Sequence, residues 1–96
     1  MNKLRMFVKQ IEIVIPLLEE QNIKRPTSML ELIIKRYKNA LIIIQRSDGD
    51  VIDSKQIHIN GSVRAYLETA SDYENPIIEE MDKAEELFKQ ITEYKI

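Results

Sequence analysis

The sequence predicts an all-α fold, a small antiparallel helical bundle of three longer helices and one short helix, and three observations carry that expectation. Only two glycines and three prolines occur in 96 residues, whereas Leu, Ile, Glu, Lys and Met are plentiful, a composition suited to helices rather than to a turn-rich β fold. Apolar residues recur in steps of three and four over three long stretches. Strong turn and capping residues separate those stretches. The chain reads as a single helical domain over residues 1–96, long enough to bury a core without disulfide or metal staples. The isoleucine content is the contrary signal, and the alternative is α+β with a short hairpin or edge strand around residues 51–60.

The first helix is expected over residues 2–21, because Leu4, Phe7, Ile11, Val14 and Leu18 share one face and Val8, Ile15 and Leu17 widen it. Pro16 falls inside this pattern. It lacks an N–H and its ring crowds the Glu12 carbonyl, so a kink or a restart is expected there. A linker over residues 21–26 leads to Ser28, which with Glu31 forms a capping-box pattern; Thr27 is an equally good cap.

Leu30, Ile33, Ile34, Tyr37, Leu41 and Ile44 then form one stripe, and Leu32, Ala40, Ile42 and Ile43 extend apolar surface around more than half the circumference. This second helix is expected at the centre of the bundle, or against a partner. Ser47, Asp48, Gly49 and Asp50 supply turn chemistry at its end.

Residues 51–60 fit either an irregular connection or a short strand at residues 56–59, where Ile57 and Ile59 alternate with polar neighbours. Asn60, Gly61 and Ser62 form a turn and cap before a short helix, residues 63–70, with Val63, Tyr66, Leu67 and Ala70 on one side. Asn75 and Pro76 open the last helix, with proline at its favoured first position. Ile77, Met81, Ala84, Phe88 and Ile91 repeat at four, three, four and three, a spacing that suits bundle packing.

Several function classes lose their chemistry at this level. The absence of cysteine removes thiol nucleophiles, disulfides and thiolate metal sites, and favours a cytoplasmic protein. The apolar stretch after Lys3 and Arg5 is interrupted by Lys9, Gln10 and Glu12, so no export signal is expected. The longest apolar run, residues 13–18, is six residues against the roughly 20 that a membrane helix needs. His58 is the single histidine, so no triad or multi-histidine metal site is read. Asp48, Asp50 and Asp53 cluster near Gly49 without the spacing or closing glutamate of a calcium loop. No catalytic residue, metal site or cofactor is therefore expected.

Charge is divided along the chain. Residues 1–46 carry nine Lys and Arg against four acids, about +5, and residues 47–96 carry five against twelve, about −7. On the last helix Glu79, Asp82, Glu86 and Glu93 line the side away from the apolar stripe, and Glu79–Lys83 and Glu85–Lys89 are favourable i,i+4 pairs. Lys24, Arg25, Lys35, Lys38 and Arg46 form a candidate basic patch, with Arg36 beside it. Nucleic acid is a disfavoured partner, since the whole chain is acidic and no glycine-rich turn sets up a recognition helix.

The candidate interaction residues are Arg36, Arg64, Tyr66, Tyr73 and Glu80. Glu80 projects toward the apolar side of the last helix, where it either lies at the helix edge in reach of water or pairs with Arg64 or Arg36, a contact that would fix register more than add stability. Arg64, Tyr66, Glu68, Asp72, Tyr73, Glu74 and Asn75 gather around the junction between the last two helices, where Tyr and Arg favour binding, although core and capping roles are the leading expectation because Tyr66 also fits the helical stripe. The sequence thus points to a small non-catalytic protein-interaction module, of adaptor, regulatory, antitoxin-like or immunity-like kind. Its expected partner is another protein, and homo-oligomerisation through complementary halves is compatible with the charge division. A nucleic-acid-binding regulator using the basic amino-terminal half is the alternative.

Overall fold

The computed structural model describes residues 3–47, 57–70 and 75–93. Four helices account for most of them, α1 (Lys3–Lys24), α2 (Ser28–Ser47), α3 (Ser62–Ala70) and α4 (Pro76–Glu93), and no strand occurs among the described residues. The fold is the small all-α bundle that the periodicity predicts. Its long dimension of 38 Å is close to the ~33 Å that the 22 residues of α1 span at ~1.5 Å per residue, so the bundle is one helix long.

The buried residues of α1 are Phe7, Gln10, Ile11, Val14 and Leu18, a face repeating at three and four. Pro16 lies inside α1, and the helix runs through it without the restart that its missing N–H suggests. The reason is where the ring sits. Pro16 and Glu12 are both exposed, so the lost bond falls on the water side, while Val14 and Leu18 keep the helix pinned to the core.

At the corner into α2, the Arg25 N–H donates to the Gln21 carbonyl (2.9 Å) and the Thr27 N–H to Asn22 Oδ1 (3.3 Å). Of the two candidate caps the structure uses Thr27. Its hydroxyl accepts from the Leu30 N–H (3.0 Å) and its carbonyl takes the first helical bond from Glu31 (3.1 Å). Ser28 is instead the first helical residue.

Each helix packs against the next in sequence, and α4 returns to pack against α1, its most extensive neighbour. Phe7 and Phe88 meet across that closure with ring centroids 5.7 Å apart. Gln10 bonds to Glu80 and Gln21 to Asn75, so α1 and α4 run antiparallel. α1 has α2 and α4 as its neighbours, and α2, expected at the centre or touching a partner as well, has α1 and α3.

Ile57 and Ile59 are buried with His58 exposed between them, so the alternation in the sequence is real. It belongs to an extended plug in the core rather than to a sheet. The turn after it is closed by the Ser62 N–H donating to the Ile59 carbonyl (3.1 Å), with Gly61 at φ 83°, a conformation that side-chain-bearing residues rarely adopt. The turn expected at Asp48–Asp50, the aspartates to Asp53, the segment 51–56 and Tyr73 lie outside the described residues. No described helix is long and apolar enough to cross a membrane.

Candidate interaction surface

Large apolar side chains are exposed on two helices, Met6, Ile13 and Ile23 on α1 and Leu32 and Ile42 on the outward face of α2. Leu30, Ile33, Ile34, Tyr37, Ala40 and Ile44 are buried, which leaves Ser28, Leu32, Lys35, Asn39, Ile42 and Arg46 in a single exposed line at spacings of four and three. Leu32 and Ile42 stand in water at 40% and 44% exposure, so the breadth of the apolar arc exceeds what the core absorbs. Core packing explains the rest of the helix. It does not explain these two side chains.

The candidate basic residues divide into two groups. Lys38 pairs with Glu19 on α1 (3.0 Å) and Lys24 with Glu20 one turn back (3.6 Å), both on the surface, where such pairs are worth little. Arg25, Lys35 and Arg46 are exposed and have no acidic partner among the described residues. Within the candidate patch, the cations without an acidic partner therefore lie on and beside the exposed line of α2, while Arg5 and Lys9 on α1 and Arg64 on α3 are exposed elsewhere. On α4 the exposed acids are Glu79, Asp82 and Glu86, and no large apolar side chain is exposed there.

Glu80 makes an interhelix contact, but with partners other than the two arginines. The Gln10 side-chain amide donates to the Glu80 backbone carbonyl (2.8 Å) and to its carboxylate (3.3 Å), while Lys83 donates to the other carboxylate oxygen (3.1 Å). Those two donors, Lys83 first, hold the Glu80 carboxyl below its usual value of 4.5 against the opposing effect of burial. Arg36 is half-buried on α2 and Arg64 is exposed on α3, and neither reaches Glu80. Lys83 likewise bonds to Glu80 rather than forming the expected pair with Glu79. Gln10 is the residue that sequence reasoning missed, and its signal was a polar side chain three residues after Phe7 on the buried stripe.

Tyr66 is buried in the core, the role that its place on the helical stripe favours over a binding contact. Asn75 ties its surroundings together. Its side-chain N–H₂ lies 3.4 Å from both Gln21 Oε1 and the Tyr66 hydroxyl, and its Oδ1 caps α4 by accepting from the Ile77 N–H (3.0 Å).

Glu85 was expected to face Lys89 along its own helix. Its carboxylate receives the Gly61 N–H (3.0 Å) and the Val63 N–H (2.9 Å), capping α3 from another helix. An open cleft of about 470 Å³ lies beside this cap, lined by Val63, Arg64, Leu67 and Glu68 together with Gly61 and Glu85. The Tyr37 and Ser62 hydroxyls are buried without a hydrogen-bond partner among the described residues. Burial, and then the charge of Glu85, push the Tyr37 hydroxyl far above its usual value of 10.0. Among the described residues no three His, Cys, Asp or Glu side chains come close enough to hold a metal ion.

A family model described as "YeeD uncharacterised protein" matches residues 2–95. The chain belongs to the YeeD family. A relative in Bacillus subtilis (strain 168), "Uncharacterized protein YeeD", is 40% identical over 90 residues, covering 90% of this chain and 89% of the relative. No solved structure matches. In this YeeD chain the match takes in all four helices, the free stripe on α2 and the cross-helix cap of α3.

Proposed function

We propose that this protein is a small non-catalytic interaction subunit that acts by docking the outward face of α2 on a protein surface. The observation that carries the reading is the pair Leu32 and Ile42, two large apolar side chains left in water on the same exposed line as Lys35 and Arg46. Apolar anchors ringed by charge are the usual composition of a contact that must form in water and release again. The size of the chain and this division of labour fit an adaptor, a regulatory subunit, or an antitoxin-like or immunity-like protein. We place it in the cytoplasm, in keeping with a chain that contains no cysteine.

Protein is preferred over nucleic acid as the partner. Lys24 and Lys38 of the candidate basic patch are engaged by acids of α1, and the remaining cations are interleaved with Leu32 and Ile42. A phosphate-binding surface has no use for those apolar side chains.

The test is retention of proteins from a native lysate on tagged wild type, compared with the double variant Leu32→Asp, Ile42→Asp. A protein held by the wild type and lost from the double variant, with unchanged circular dichroism, is the expected result. Equal retention by both removes α2 as the docking face. Nucleic acid recovered in place of protein, with salt-sensitive retention, would instead support the regulator reading.

A further inference from the structure

At nine residues α3 is the shortest helix of the bundle, below the ~12–15 residues at which a helix begins to hold together by itself in water, so it depends on what its neighbours supply. Much of that supply comes from one side chain. The Gly61 carbonyl accepts the first helical bond, from the Ala65 N–H (3.0 Å), and a glycine has no side chain with which to cap the helix it opens. Glu85 of α4 fills both roles of a capping box from outside, accepting the Gly61 N–H at 3.0 Å and the Val63 N–H at 2.9 Å. No ion pair joins α3 to another helix among the described residues.

Two buried groups work against this closure. Tyr37 on α2 and Ser62 in the first turn of α3 are fully buried, and their hydroxyls have no hydrogen-bond partner among the described residues. Both belong to the corner that Glu85 closes, since Ser62 lies between the two amides that Glu85 holds and the charge of Glu85 acts on Tyr37. With α3 in place each hydroxyl forgoes the bonds that water would give it; with α3 released each regains them. We infer that α3 is a releasable flap, leaving α2 and α4 as a unit with residues 57–61, latched by Glu85 and pressed open by the two buried hydroxyls. The Ser62 N–H bond to the Ile59 carbonyl (3.1 Å) ties that preceding segment to the helix. Release uncovers Ile57, Ile59 and Tyr66, all buried when the flap is shut, while the Phe7–Phe88 and Gln10–Glu80 contacts keep α1 and α4 together.

Native-state hydrogen exchange, resolved by residue on the full chain, tests the flap in wild type and in three variants that push it in known directions. Glu85→Gln weakens the latch. Gly61→Ala burdens the shut backbone at φ 83°, and since a Cβ there meets nothing within 4 Å it crowds no neighbour. Tyr37→Phe removes one of the opposing hydroxyls and changes no atom of α3. In wild type the Ala65 amide and its neighbours in α3 are expected to exchange through an opening at least about tenfold more populated than the one that exposes the Ile11 and Val14 amides of α1, and less dependent on denaturant. Exchange of α3 is expected to rise about threefold in Glu85→Gln and about tenfold in Gly61→Ala, and to fall about two- to fivefold in Tyr37→Phe. Amides of α3 that open only together with those of α1 overturn the inference, because the helix then has no release of its own. Exchange of α3 that is unchanged or faster in Tyr37→Phe overturns it as well, because the hydroxyl then does not drive the opening.

Discussion

The carboxylate of Glu85 on α4 accepts the backbone N–H of Val63 at 2.9 Å, so the first turn of α3 is closed by a residue 22 positions further along the chain. With the Gly61 N–H also bound at 3.0 Å, one side chain satisfies two of the free donors at that helix start.

Glu85→Ala is expected to cost about 1–2 kcal/mol, the range for loss of a helix cap, and Glu85→Gln about half as much. The loss is local before it is global. Hydrogen exchange resolved by residue checks this, with amides of α3 losing protection first while those of α1 keep theirs.

Tyr37→Phe is expected to be neutral or stabilising by up to about 1 kcal/mol, because it deletes a buried hydroxyl that has no hydrogen-bond partner among the described residues. The pH dependence follows from the raised value of this group. The folded state holds the Tyr37 proton more tightly than the unfolded chain does, so its contribution is intact below the ordinary value of 10.0 and is lost as pH rises above it. Urea melts at rising alkaline pH should show the wild type weakening beyond about pH 10, and Tyr37→Phe weakening less.

Gln10→Ala is expected to destabilise by about 1 kcal/mol, since it removes the donor bridging α1 to α4. Glu80 has the opposite sign to Tyr37. Its carboxyl is held below 4.5 in the folded protein, so its contribution is present above that value and disappears as pH falls through the lowered one. Thermal melts between neutral and acid pH should show the difference between wild type and Glu80→Gln shrinking on the acid side.

Pro16→Ala is expected to stabilise the protein by about 1–3 kcal/mol, restoring an N–H to the Glu12 carbonyl on a surface where nothing else must move. A raised midpoint in denaturant melts with an unchanged slope would confirm the effect. A fall in stability would show that α1 relies on the shape proline imposes.

The faces of the helices were legible because periodicity reports burial directly. Phe7, Ile11, Val14 and Leu18 on α1 and Ile77, Met81, Ala84 and Phe88 on α4 repeat at four and three, and all eight are buried. The polar contacts between helices were not legible, since sequence spacing offers a charged residue only neighbours on its own helix. Glu85 had Lys89 within one turn, and nothing in the sequence announces that Gly61 and Val63 will approach it. Glu80 invited an arginine by charge, whereas the backbone places Gln10 against it.

Packing order was hidden for a related reason. The broad apolar arc of α2 marked it for the centre or for a partner, yet arc width cannot tell how much of that surface the core takes up. Leu32 and Ile42 are what it leaves outside.

The meeting of Phe7 with Phe88 joins points 81 residues apart, which has a consequence for synthesis. At about 5–20 residues per second, α1 leaves the ribosome on the order of ten seconds before α4 exists to cover it. The chain must carry Ile11, Val14 and Leu18 through that interval with α2 as their one early shelter, and a nascent-chain chaperone has its longest opportunity on α1.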